Sequence, residues 1–147
     1  VGTEHKYTVN DYKLNGYVKA MEEAHLPTNI VFSSGDVSIN EKHFTQIMEN
    51  KLPEVALFVR DSMAISFMNI AVKKGHRVPE ELQIIGFQNT KYAELSNPKL
   101  TCVETPIYEI GNRAMDYLTE LMRETNAQEK PKHILVDYKV IWRESTK

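Results

Sequence analysis

The run Val78-Pro79-Glu80-Glu81-Leu82-Gln83-Ile84-Ile85-Gly86-Phe87-Gln88-Asn89 limits the possible folds more than any other stretch. Pro79 lacks an amide donor and restricts Val78, so a helix arriving from upstream must end here. Leu82 to Ile85 is short and mostly apolar, the pattern of a strand buried on both faces. Gly86 to Asn89 then releases the chain at the carboxyl end of that strand. In an open parallel sheet this is the edge where ligands bind.

The rest of the chain repeats the alternation. Asn10 or Asp11 is placed to cap a helix running to about Ala24, with Leu14, Tyr17, Val18 and Met21 at helical spacing. Pro27 is expected to stop it. Ile30 to Phe32 reads as a strand and Ser33 to Asp36 as its polar exit. A second helix spans Asn40 to Asn50, with Phe44, Ile47 and Met48 on one side. Val55 to Val59 is another strand of the buried type. Asp61 or Ser62 caps a third helix, lined by Ile65, Met68 and Val72 and closed by Gly75. After the Leu82 strand, Asn89 to Pro98 reads as a polar loop and Leu100 to Val103 as a strand. Pro106 starts a helix whose apolar face carries Ile107, Ile110, Ala114, Leu118, Leu121 and Met122. Thr125 to Lys132 is polar, and Ile134 to Val136 and Lys139 to Trp142 close the chain as extended segments. Strands alternating with helices through short connections predict an α/β fold, a mostly parallel sheet flanked by helices with right-handed crossovers.

Composition excludes several functions. At 147 residues the chain can bury one ordinary core. A net charge of −2 provides no basic stripe for a nucleic-acid backbone within these residues. Cys102 is the single cysteine, so an internal disulfide framework is excluded, and it reads as a buried structural thiol. No apolar run approaches a membrane span. Val1 onward does not read as a signal peptide, and the missing initiator Met suggests a remnant of a longer chain. The histidines lack metal-ligand spacing, so no metal and no cofactor is expected. No HExxH, GxSxG, P-loop or GxGxxG pattern occurs, so a catalytic role has little support.

The strand exits carry the strongest functional signal. Ser33 to Asp36, Arg60-Asp61 and Gln88-Asn89 each follow an apolar run, so a parallel sheet would gather them at one edge. Helix amino termini at that edge favour anionic or hydroxylated ligands. Each residue also has a plainer reading: Asp61 as a helix cap, Arg60 as half of a surface ion pair, Gln88 as an exposed loop amide.

An ordered set of short motifs adds a family resemblance. These are Lys13-Leu14-Asn15-Gly16-Tyr17, Asp61-Ser62-Met63-Ala64, Gly75 through Val78-Pro79-Glu80, Ile85-Gly86-Phe87, Pro98 through Leu100-Thr101, and Arg143-Glu144-Ser145-Thr146. In this order they resemble the carboxyl-terminal half of the effector-binding core of LacI/GalR transcriptional regulators. The resemblance implies a periplasmic-binding-protein-like fold of two lobes with a small ligand between them. Residues 1–105 would form most of the second lobe, 106–138 would belong to the first, and 139–147 would return to the second. It further implies a cytoplasmic repressor that works as a homodimer. Operator DNA would be bound through an upstream headpiece outside this chain, and effector binding would act by changing lobe closure.

By resemblance, Lys13, Arg60, Asp61, Gln88 and Val37 fall at ligand-binding positions, and Thr105 joins them by its place after a strand. Ile65, Met68 and Ser96 fall on the surface through which second lobes pair, although Ile65 and Met68 are equally plausible as core. The family usually has Arg where Lys13 stands, often a neutral residue at Arg60, usually Asp at Gln88, and often an aromatic ring at Val37. A neutral Gln88 and a cationic Arg60 make the expected pocket less acidic than usual, which points to an anionic or phosphorylated ligand, with the effector expected to be a sugar or sugar phosphate. Two other readings remain: a solute-binding protein of a transport system with the same fold, and a small α/β enzyme.

Overall fold

A computed structural model describes residues 2–3, 8–34, 36–123 and 133–147. The elements follow in the order β1 (Gly2–Thr3), α1 (Thr8–Glu23), β2 (Phe32–Ser33), α2 (Val37–Asn50), β3 (Val55–Leu57), α3 (Asp61–Lys73), β4 (Gln83–Gln88), α4 (Lys91–Leu95), β5 (Thr101–Glu104), α5 (Ile107–Arg123) and β6 (Lys139–Ile141). A four-stranded sheet has the order β3-β4-β5-β6, parallel except for its last pair, and a short parallel β1-β2 pair stands beside it. The predicted α/β class with a mostly parallel sheet is what the chain adopts.

β4 is central because it can be buried on both sides. It pairs with β3 through Ala56↔Ile84 and with β5 through Gly86↔Cys102. Ile84, Leu82, Leu100 and Cys102 are fully buried around it. On α2 and α3, Phe44 and Phe67 meet Phe58 in an aromatic cluster, with ring centroids 5.1 to 5.9 Å apart and the rings tilted or edge to face. Met48, Met63, Met68, Ala64 and Ala71 fill the space around it.

Several boundaries differ from the expectation. α1 starts at Thr8, so Asn10 and Asp11 lie within it rather than cap it, and it ends at Glu23, close to the expected Ala24, where His25 turns left-handed with φ 54° and Leu26 N–H closes on the Met21 carbonyl. α2 starts three residues before Asn40, since the Asp36 carboxylate accepts the Ile39 amide and its carbonyl accepts the Asn40 amide. Within the expected polar loop Asn89 to Pro98 lies the five-residue α4, anchored by buried Ala93. Of the two closing extended segments only Lys139–Ile141 pairs, antiparallel to β5. The expectation for Thr125 to Lys132 falls outside the described residues, apart from its place after α5.

α5 is the exception to the packed layers. None of its side chains is buried, and Ile107, Ile110, Met115, Leu118, Leu121 and Met122 leave an apolar face open to solvent.

Candidate functional site at the strand exits

The parallel strands β3, β4 and β5 deliver their carboxyl ends to one edge, and α1 reaches that edge from the side. Lys13 Nζ donates to the Val59 carbonyl at 3.2 Å and lies 5.0 Å from the centroid of the Phe87 ring. Its ammonium is held below the usual lysine range, first by burial and then by the neighbouring Arg60 guanidinium, with Asp61 acting in the opposite sense. Two cations therefore share the exit of β3. Arg60 is exposed and takes the N-cap position of α3 in an extended conformation, without a side-chain cap bond. Gln88, the last residue of β4, is exposed and has φ 144°, a region that side-chain-bearing residues rarely enter. Thr105, just past β5, is exposed and its carbonyl accepts the Ile107 amide at 2.8 Å. Val37 opens α2, and its side chain lies outside the described residues.

Asp61 is a correction. The sequence places it among ligand contacts or as a cap, but its side chain is completely buried. One carboxylate oxygen accepts the Thr90 amide at 2.7 Å and the other accepts the Cys102 thiol at 3.5 Å. Gly86 makes room for it: a Cβ there would sit 2.5 Å from Asp61 Oδ1. Asp61 thus ties the first turn of α3 to the segment leaving β4, and its burial withdraws it from the surface of the edge. Cys102 is buried as expected, and its thiol pKa is pushed up to about 12 by desolvation and by the adjacent Asp61.

The sequence reading also missed a polar network beneath the edge. Asn89 has φ 56°, and its side chain is bonded at both ends, donating to Glu104 and accepting from Arg143. Ser145, fully buried, donates to the Ile84 carbonyl at 2.6 Å and accepts the Thr101 amide at 2.8 Å. The available signal was the closing Arg143-Glu144-Ser145-Thr146, whose side chains hold the last segment of the chain onto β4 and β5.

A cleft of about 870 Å³ opens between α1 and the strands β2, β3 and β4, and reaches the strand exits at Val59 and Phe87. Tyr17, Met21, Ile30, Phe32, Val55 and Ile85 give it apolar walls. Lys13 borders it, but Arg60, Gln88 and Thr105 do not.

Of the expected pairing residues, Met68 is corrected: it is fully buried in the core, because α3 packs on both sides. Ile65 is half-buried. Ser96 is also half-buried, with its hydroxyl donating to the Ala93 carbonyl and accepting the Leu100 amide. The apolar groups that α3 and α4 do expose are Val72, Tyr92 and Leu95, with Leu95 79% accessible.

Polar and cationic groups of the lobe thus collect where its parallel strands end. Residues 1–146 match the family described as periplasmic binding protein-like domain, and the chain belongs to that family, as part of the effector domain of a LacI-type regulator. Catabolite control protein A of Staphylococcus aureus (strain Mu50) is 33% identical over the whole of this chain, which spans 45% of that protein. The transcription regulator CcpA of Lactococcus lactis superposes with a TM-score of 0.83 at 26% identity, covering 99% of this chain and 54% of its own. A sugar-binding LacI-family regulator from Escherichia coli, solved with phosphate, superposes with a TM-score of 0.81 at 22% identity, covering 98% and 52%, and so bears on the fold alone. The chain spans about half the length of the relatives it matches, and those relatives are transcriptional regulators rather than enzymes.

Proposed function

We propose that this chain senses a small anionic effector, a sugar phosphate, for a cytoplasmic bacterial LacI-type repressor. The observation that carries the reading is the pair of cations, Lys13 and Arg60, at the exit of β3, with the neutral amide of Gln88 exposed at the end of the next strand, β4. A phosphate there gains a guanidinium fork, an ammonium and the positive end of α3. The sugar hydroxyls reach Gln88 and Thr105. The rest of the pocket comes from a first lobe, which also covers the bare face of α5. Closure of the two lobes on the effector changes the spacing of DNA-binding headpieces in a homodimer, and operator DNA is contacted only through those headpieces. Residues 1–105 and 139–147 act as the second lobe and 106–138 as part of the first. Second lobes pair through Ile65, Val72, Tyr92 and Leu95, in place of the Met68 and Ser96 of the sequence expectation. The regulator reading is preferred to a transport solute-binding protein because the curated relatives are regulators.

Calorimetry with glucose and glucose 6-phosphate, on the chain and on Arg60→Ala, tests the ligand class. Binding of the phosphorylated sugar alone, weakened at least about tenfold by Arg60→Ala, is expected for loss of a charge-assisted contact. Tight binding of neutral glucose, indifferent to Arg60→Ala, overturns it.

A further inference from the structure

We propose that Asn89 is a positioning residue that couples the effector contact at Gln88 to the two strands on either side of α5. The proposal rests on the sensor reading above. β5 ends at Glu104 and leads out through Thr105 and Pro106 to α5, while β6 brings the chain back and is followed by Arg143. These outgoing and returning segments are antiparallel neighbours, with Glu104 opposite Lys139.

Both segments hold the same side chain. Asn89 Nδ2 donates to Glu104 Oε1 at 2.9 Å, and Arg143 Nη2 donates to Asn89 Oδ1 at 2.7 Å. Arg143 is fixed in turn: its Nη1 donates to the Leu100 carbonyl at 2.8 Å, its Nη2 is 3.4 Å from Glu94, and its side chain is only 10% exposed. The next residue is pinned as well, since the Thr90 amide donates to buried Asp61.

The backbone at this point is unusual. Gln88 and Asn89 are consecutive non-glycine residues with φ of 144° and 56°. Asn tolerates the left-handed region, but Gln88 has no such preference, and its conformation persists because its surroundings impose it. A shift of the outgoing segment relative to the returning one pulls the Asn89 amide at one end and slackens it at the other. Gln88 then loses the geometry that presents it at the edge. By linkage, an effector that holds Gln88 in place favours one arrangement of the two segments.

Trp142, the single tryptophan of the chain, adjoins Arg143 and is exposed, so it reports on the returning segment. Glucose 6-phosphate is titrated into the wild-type chain, Asn89→Ala and Arg143→Lys, following both affinity and Trp142 emission. Hydrogen exchange is measured on the same three proteins without ligand. Arg143→Lys keeps the charge but loses the fork that grips Asn89 and Leu100 together. Expected are a Trp142 shift on saturating the wild type, its loss in Asn89→Ala at saturation, and an affinity at least about fivefold weaker. Without ligand, Arg143→Lys should speed exchange at Gln88 to Thr90 while leaving Ile84 protected. A merely structural role would lower thermal stability yet keep the Trp142 response of the folded fraction. An intact response in Asn89→Ala, a silent wild-type Trp142 on binding, or unchanged Gln88 to Thr90 exchange in Arg143→Lys each overturns the coupling. Should glucose 6-phosphate not bind while the exchange effect appears, the ligand class fails and the coupling stands. If Asn89→Ala does not fold, Arg143→Lys decides by its exchange and Trp142 response.

Discussion

Gly86→Ala should destabilise this protein mainly by evicting one carboxylate. The new methyl would lie 2.5 Å from Asp61 Oδ1 and 2.9 Å from a terminal methyl of Leu100. Comfortable contact needs about 3.5 Å, so Asp61 must retreat by roughly 1 Å. Overpacking of this kind costs about 1–3 kcal/mol. The retreat also breaks the 2.7 Å bond to the Thr90 amide, and a hydrogen bond to a charged group contributes about 1.5–3 kcal/mol. Together these give about 4 kcal/mol. Asp61→Ala alone should cost about 3 kcal/mol, from the same bond and the stranded Thr90 amide. In the double variant the bond is lost only once and the main clash has gone. Its cost should be about 4 kcal/mol, where independent effects would give about 7 kcal/mol. Urea unfolding followed by far-ultraviolet circular dichroism measures all three, provided the slopes match. Additivity within about 0.5 kcal/mol would show that Gly86 is not needed to accommodate Asp61, and the account of that buried pair would fall.

Other outcomes follow from the same geometry. Because Lys13 is held below its usual range, its charged form is disfavoured in the fold, and stability should rise with pH as Lys13 titrates towards the ordinary value of 10.5. A bound anion would restore that charge, so glucose 6-phosphate should bind with proton uptake in that window and more weakly above it; calorimetry in two alkaline buffers of different ionisation enthalpy reads the uptake, and its absence would count against Lys13 as a contact. With a thiol pKa of about 12, Cys102 should react with a disulfide reagent at pH 8 only as fast as the protein opens, so a rate independent of urea would contradict its burial. Leu95→Asp combined with Tyr92→Ser should shift the sedimentation of the chain towards monomer at unchanged circular dichroism if α3 and α4 form the pairing surface, and an unaltered distribution of dimers would remove that surface from consideration.

The sheet was legible because its strands are short apolar runs that follow closely on a proline, Pro53 before Val55, Pro79 before Leu82 and Pro98 before Leu100. The elements that escaped depend on partners rather than on local pattern. β1 is two residues long and exists through β2, and α4 is a polar five-residue turn held by Ala93. At the site, the sequence could place polar residues after each strand, but not say which turn inward. Lys13, Arg60 and Gln88 lie about the exits of β3 and β4, whereas Asp61, one residue beyond Arg60, points into the core. The readable clue was Gly86, whose missing side chain leaves the room that Asp61 occupies. Met68 failed for a related reason. A helical stripe of Ile65, Met68 and Val72 looks like one face, but α3 buries Met63, Phe67, Met68 and Ile70 around most of its circumference. Of that stripe, Ile65 and Val72, two turns apart, stay at the surface.

The central claim is that the strand exits, and not the apolar cleft beneath α1, receive the effector. Backbone amide shifts on saturation with glucose 6-phosphate address it most directly. The account predicts the largest changes at Arg60, Gln88, Asn89 and Thr105, with Lys13 Nζ moving alongside. Changes centred on Tyr17, Met21, Phe32 and Val55 would place the ligand in the cleft and contradict the account.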